Sequence, residues 1–125
     1  TQQRANRSSR MEPEATARRY YDLIDASDHD ALVELFSEDV VYERPGQASI
    51  EGREALRTFY EDERPLSNGT HELHSVVADG DTVAVRGTYR GEQDGEPVEL
   101  GFADFHEFRD GEIVRRDTYT DRDTV

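Results

Sequence analysis

Residues 97–108 read Pro-Val-Glu-Leu-Gly-Phe-Ala-Asp-Phe-His-Glu-Phe, and their alternation decides the fold. In an extended chain successive side chains point to opposite faces, so Leu100, Phe102, Asp104, His106 and Phe108 share one face while Ala103 and Phe105 lie on the other. Apolar side chains on both faces predict a sheet covered on both sides. On either side of this stretch, Asp-Gly pairs at 79–80, 94–95 and 110–111 separate β-rich segments, the strongest short-range signal for hairpins. They divide the C-terminal half into strands at roughly 71–78, 82–91, 97–108 and 112–120, a four-stranded antiparallel meander.

Upstream of Asn68-Gly69 the period is that of a helix. Pro13 between Glu12 and Glu14 is an opening signal, because proline suits the first turn and acids suit the positive end of the dipole. Ala17, Tyr20, Tyr21 and Ile24 then recur at helical spacing, which predicts a helix over 13–26 with one buried stripe. Ser27-Asp28 ends it and caps a second short helix whose apolar face is Leu32, Leu35 and Phe36. Val40, Val41 and Tyr42 predict a short strand, and Leu56, Phe59 and Tyr60 a third helix over 52–63 that stops before Pro65. Helix, helix, strand, helix and then four long strands is an α+β order. The three helices cover one face of the sheet; the simplest cover for the other is a second copy, which predicts a homodimer.

The chain has 125 residues, one domain's worth, with 15 basic against 29 acidic residues and a net charge of −14. Such a surface repels phosphate backbones, which argues against nucleic-acid binding. No apolar run approaches the ~18 residues of a membrane span. All 15 basic residues are Arg, with no Lys, and the pattern fits a salt-adapted proteome: at ~1 M salt the Debye length is about 3 Å and surface carboxylates barely repel one another. Residues 1–11 carry no large apolar residue before Met11 and no secretory signal, so the expectation is a disordered tail, a domain over 12–125 and a cytoplasmic location.

Without Cys there is no thiolate chemistry. His71 and His74 are three apart on a strand, hence on opposite faces and unsuited to share a metal. Asp28-His29-Asp30 and Asp79-Gly80-Asp81 are better explained as a cap and a turn than as cation loops. Gly-rich phosphate loops and nucleophile elbows are absent, and no metal or cofactor is expected. Asp104, flanked by Phe102, Ala103 and Phe105 on a buried strand, must be either paired or pushed towards its neutral form.

Taken together, Ala17-Arg18-Arg19-Tyr20-Tyr21-Asp22-Leu23-Ile24-Asp25, Leu35-Phe36-Ser37-Glu38-Asp39-Val40-Val41-Tyr42-Glu43-Arg44-Pro45, Glu51-Gly52-Arg53-Glu54-Ala55-Leu56, Phe59-Tyr60 and Ala103-Asp104-Phe105-His106-Glu107-Phe108 resemble the nuclear transport factor 2-like superfamily, in its SnoaL-like and ketosteroid isomerase-like branch. The resemblance spans about residues 12–121. It implies a cone-shaped curved antiparallel sheet wrapped around the helices, with a pocket between them. By this likeness Tyr20 stands where the isomerases keep the phenol of an oxyanion hole, and Tyr60 matches a second tyrosine supporting it. Asp104 matches either the acid that, kept protonated, donates to the oxyanion or the Asp used as acid/base in SnoaL-like cyclases. Arg44 stands before Pro45 where the isomerases carry their proton-abstracting Asp, and a guanidinium is no general base at ordinary pH.

The expected function is therefore a cofactor-independent isomerase, cyclase or lyase acting on a small carbonyl-containing or anionic ligand, with Asp104 and Tyr20 catalytic. Arg44, Tyr60, Phe102, His106 and Arg116 would bind substrate, Arg44 either gripping the ligand or neutralising Asp104. The rival is a non-catalytic ligand-binding or dimerisation module. An epoxide hydrolase-like site would need a second Asp beside Asp104, but Asp117 on the adjacent strand is expected to face the other way.

Overall fold

A computed structural model describes residues 12–121. The 1–11 tail and the last four residues of the 12–125 domain lie outside the described residues.

Helix α1 (Pro13–Asp25) starts with Pro at its first turn and Glu14 near its positive end, and buries Ala17, Tyr20, Tyr21 and Ile24. Helix α2 (His29–Val33) is capped by Asp28, whose carboxylate accepts the Ala31 N–H at 3.3 Å. Strand β1 (Phe36–Glu43) begins earlier than Val40. Phe36, expected on a helix face, instead pairs with Ile113, and its carbonyl accepts the Arg53 guanidinium at 2.7 and 3.1 Å. A two-residue strand β2 (Ile50–Glu51) precedes α3 (Arg53–Thr58). The helix then widens into a π-helical turn over Phe59–Glu63, which turns the adjacent Phe59 and Tyr60 both inward.

Four long strands follow: β3 (Leu66–Asp79), β4 (Thr82–Gln93), β5 (Glu96–Arg109) and β6 (Glu112–Thr120). Their hairpins behave as the Asp-Gly pairs predict, with one shift. Asp94–Gly95 and Asp110–Gly111 both take positive φ, the type I′ geometry, whereas the first loop is Gly80–Asp81 with positive φ at Gly80 alone. The sheet has the order β2-β1-β6-β5-β4-β3. Its four C-terminal strands form the antiparallel meander, but β1 lies parallel to β6, so the expected antiparallel sheet is a mixed one. It is curved and unclosed, an α+β fold with the helices on the concave side. No helix among the described residues is long and apolar enough to cross a membrane.

On β5 the alternation is realised: Leu100, Phe102, Asp104, His106 and Phe108 are buried and Phe105 is exposed. The core gathers the inner faces of β1 and β4–β6 under α1 and α3, and aromatic rings dominate it.

Candidate active site

Seven elements converge on one hollow between sheet and helices. Tyr20 comes from α1, Tyr42 from β1, Phe59 from the π-helical turn, Phe102 and Asp104 from β5, and Arg116 and Thr118 from β6, with Arg44, His71 and Tyr89 completing the wall. The hollow is narrow, with a cavity volume of about 30 Å³, room for a few non-hydrogen atoms unless side chains shift.

Asp104 is the hub. Its register opposite Thr118, with Arg116 two residues before, places all three on the inner face. Arg116 Nη2 donates to Oδ2 at 2.8 Å, Thr118 Oγ1 to Oδ1 at 2.6 Å, and the Tyr21 hydroxyl to Oδ2 at 2.5 Å. Burial works against the charge, but the Arg116 guanidinium and the hydrogen bonds from Thr118 and Tyr21 outweigh it and hold the carboxyl below the usual carboxylate range. Asp104 is thus paired and ionised. These partners disfavour the protonated, hydrogen-bond-donating state that the resemblance offers as one alternative.

Tyr21 gives its one proton to Asp104, so the contact of its hydroxyl with His106 Nε2 at 3.0 Å assigns that nitrogen as the donor. His106 Nδ1 is then a buried acceptor with no partner among the described residues. Burial, together with the nearby Arg116 charge, pushes the imidazole down to about 3, so it is neutral. Arg116 lies between the rings of Tyr20 and Tyr42, 4.3 and 4.6 Å from their centroids. Its Nε and Nη1 are buried and find no hydrogen-bond partner among the described residues.

Tyr20 and Tyr60 make the expected pair, their hydroxyls 2.7 Å apart. Burial raises both phenols, Tyr60 to about 12, so both stay protonated, and one proton of the pair can point at a ligand. Arg44 lines the hollow with its guanidinium 4.3 Å over the Phe59 ring, and Arg116 rather than Arg44 neutralises Asp104. Phe102 and Arg116 are in the wall as anticipated; Tyr60 and His106 stand behind it. Phe102 reaches across β4 because position 87 is glycine: a Cβ there would lie 2.8 Å from its ring. Asp117 pairs with Arg115 on the far side of the sheet, so it does not join Asp104.

Sequence reading does not single out Tyr21, Thr118, His71 or Asp25. Tyr21, which the helical stripe places in the core, is the phenol that meets Asp104; the adjacent Tyr20-Tyr21 on a helix beside a buried acid is the available sign. His71 lies in the wall with Asp25 beside it, and only the strand parity of His71 hinted at an inward ring.

A model of the SnoaL-like domain family matches residues 17–116. The chain belongs to that family. Among solved structures, this SnoaL-like chain is similar to a candidate polyketide cyclase from Sinorhizobium meliloti, at 28% identity over 84% of this chain and 94% of that one, with a TM-score of 0.69. It is also similar to a candidate ketosteroid isomerase from Kribbella flavida, at 26% identity over 88% and 78%, with a TM-score of 0.76. An LEH-like epoxide hydrolase from M. tuberculosis, 21% identical over 87% of this chain and 82% of that one with a TM-score of 0.78, shares the fold. The fold and the family make this a small-molecule-binding architecture.

Proposed function

We propose that this SnoaL-like protein is a cofactor-independent isomerase, cyclase or lyase acting on a small enolisable carbonyl compound. The observation that carries the reading is Arg116: it lines the cavity, and two of its guanidinium nitrogens are buried without hydrogen-bond partners among the described residues, so it has donors left over for an oxygen that gains negative charge. Tyr20, supported by Tyr60, supplies a neutral donor to the same oxygen, Asp104 exchanges the proton, and Arg44 orients an anionic group of the substrate. In a narrow apolar hollow these interactions are worth far more than in water.

A second reading, a ligand-binding module without chemistry, is favoured by the complete pairing of the Asp104 carboxylate with Arg116, Thr118 and Tyr21. A thermal-stabilisation screen of small ketones and carboxylates in molar salt tests the proposal. At a ligand concentration about 100 times Kd, binding adds about 2.7 kcal/mol to wild type. Tyr20→Phe and Asp104→Asn are expected to lose most of that gain. If no carbonyl or carboxylate compound stabilises wild type more than these variants, the enzyme proposal fails.

The assembly we propose is a homodimer through the outer face of the sheet, in a cytoplasmic, salt-adapted setting. Its support is an apolar row that crosses three strands, Val77–Ala84–Phe105, with Tyr119 packed edge-on to Phe105 at 5.9 Å. Val77, Phe105 and Tyr119 are the exposed large apolar residues among those described.

A further inference from the structure

Moving a double bond or closing a ring requires a proton to leave one atom and another to arrive elsewhere. An ionised Asp104 can take a proton but has none of its own to deliver, so a second group is needed that can both take a proton and give it back. On the β3 wall of the same hollow, His71 Nδ1 lies 2.6 Å from Asp25 Oδ1 at the end of α1, and the second Asp25 oxygen accepts the His71 backbone N–H at 2.9 Å. A carboxylate in that position fixes the tautomer: the proton sits on Nδ1, and Nε2 carries the lone pair. The rings of Tyr21, Tyr89 and Phe102, at 5.4, 4.9 and 5.4 Å, clamp the imidazole in one orientation. Asp25 does not line this hollow. It opens on a neighbouring one of about 310 Å³ beyond Tyr89 and Arg64, so the pair bridges the two spaces.

From this geometry we infer that His71, held by Asp25, is a second proton-exchanging group of the cavity, accepting at Nε2 a proton from a carbon next to the substrate carbonyl. The inference rests on the proposed function and extends it. The C–H bond breaks, its electron pair passes to the carbonyl oxygen as an enolate, and an N–H bond forms at Nε2. The imidazolium then returns that proton to the substrate, at the carbon it left in exchange or at the carbon where the shifted double bond ends in isomerisation, so no co-reactant is consumed. His71 would be the catalytic group and Asp25 its positioning residue.

Burial lowers the His71 imidazole, the Asp25 hydrogen bond raises it, Arg64 lowers it, and the Asp25 and Asp104 charges raise it; the net is a lowering. Tyr21 and Tyr89 also face it, both raised by burial and hence neutral. The imidazole is therefore a free base at neutral pH, as a proton acceptor must be.

The test is deuterium incorporation beside the carbonyl of cyclohexanone and of levulinate, in heavy water and molar salt, with the full chain. Wild type is expected to exceed the buffer rate, His71→Gln to lose about a hundredfold of that excess, and His71→Ala to regain part of it with added imidazole. In Asp25→Asn the acid limb of the rate profile moves to lower pH, because a group that raises the imidazole is gone; a merely structural latch would lower the rate at every pH. Exchange lost in Tyr20→Phe but kept within twofold in His71→Gln overturns this inference and leaves the proposed function standing. No exchange above buffer by wild type overturns both. Nitrogen NMR of the wild-type chain provides a check free of variants: a proton found on His71 Nε2 rather than Nδ1 also overturns the inference.

Discussion

Arg115 and Arg116 are neighbours in β6, yet they answer to different physics. Arg116 points inward, its side chain 4% exposed, and meets a carboxylate that is 1% exposed. Arg115 points outward, 41% exposed, and shares Asp117 and Glu43 with solvent. The same contrast runs through β5, where Asp104 and His106 alternate with Ala103 and Phe105. On the concave face the Asp104 charge is tolerated because Arg116, Thr118 and Tyr21 all support it; on the convex face charges are cheap and apolar rings are the anomaly.

The sharpest way to break this comparison is to remove each arginine in turn. Arg116→Met strands an ionised Asp104 in the core and is expected to cost about 3–5 kcal/mol of unfolding free energy in denaturant titrations. Arg115→Met is expected to cost less than about 1 kcal/mol, and less again in molar salt, where the inner loss persists. Equal losses would show that the two faces do not differ as described.

Acid provides the next largest effect. His106 is held at about 3 when folded, against about 6.5 unfolded, so between those values the unfolded chain binds more protons and stability falls as pH falls. The loss is about 4 kcal/mol across that window, with His71, also lowered, acting in the same direction. Asp104, held below the ordinary carboxylate value, adds its own loss as pH falls below its unfolded value of about 3.8 and on through the folded one. His106→Gln, which cannot titrate, is expected to flatten the stability curve between about pH 6 and 4; an unchanged slope would remove His106 from the account.

A net charge of −14 lies mostly on the surface, so the folding midpoint is expected to rise from dilute buffer to molar salt as repulsion is screened. The smallest effect on folding belongs to the convex rings. Phe105→Ser with Tyr119→Ser is expected to change monomer stability by within about 0.5 kcal/mol per site, while sedimentation shifts from dimer to monomer. Wild-type protein that sediments only as monomer in high salt would remove the proposed dimer.

The architecture was largely legible because its signals are local. Period 3.6 before Asn68 and period 2 after it, three Asp-Gly pairs and the Pro13 and Asp28 signals placed nearly every element. The parallel pairing of β1 with β6 was not legible, since it joins segments about seventy residues apart and no local pattern records it. The inward set on β5 followed from parity, and Asp104, Phe102 and His106 fall on the face expected for them. Partners did not follow. The sequence offers Arg44 as a partner for Asp104, and it is the register of β6 against β5 that brings Arg116 there instead. Tyr21 and the Asp25–His71 pair were invisible for the same reason.

By itself the sequence determined which side chains turn inward and what chemistry they carry, because backbone periodicity acts over two to four residues. The tertiary structure alone decided which inward groups touch. Contacts between α1 and β3, or between β5 and β6, depend on how whole elements pack, and that depends on the total volume of the core rather than on any single stretch of chain.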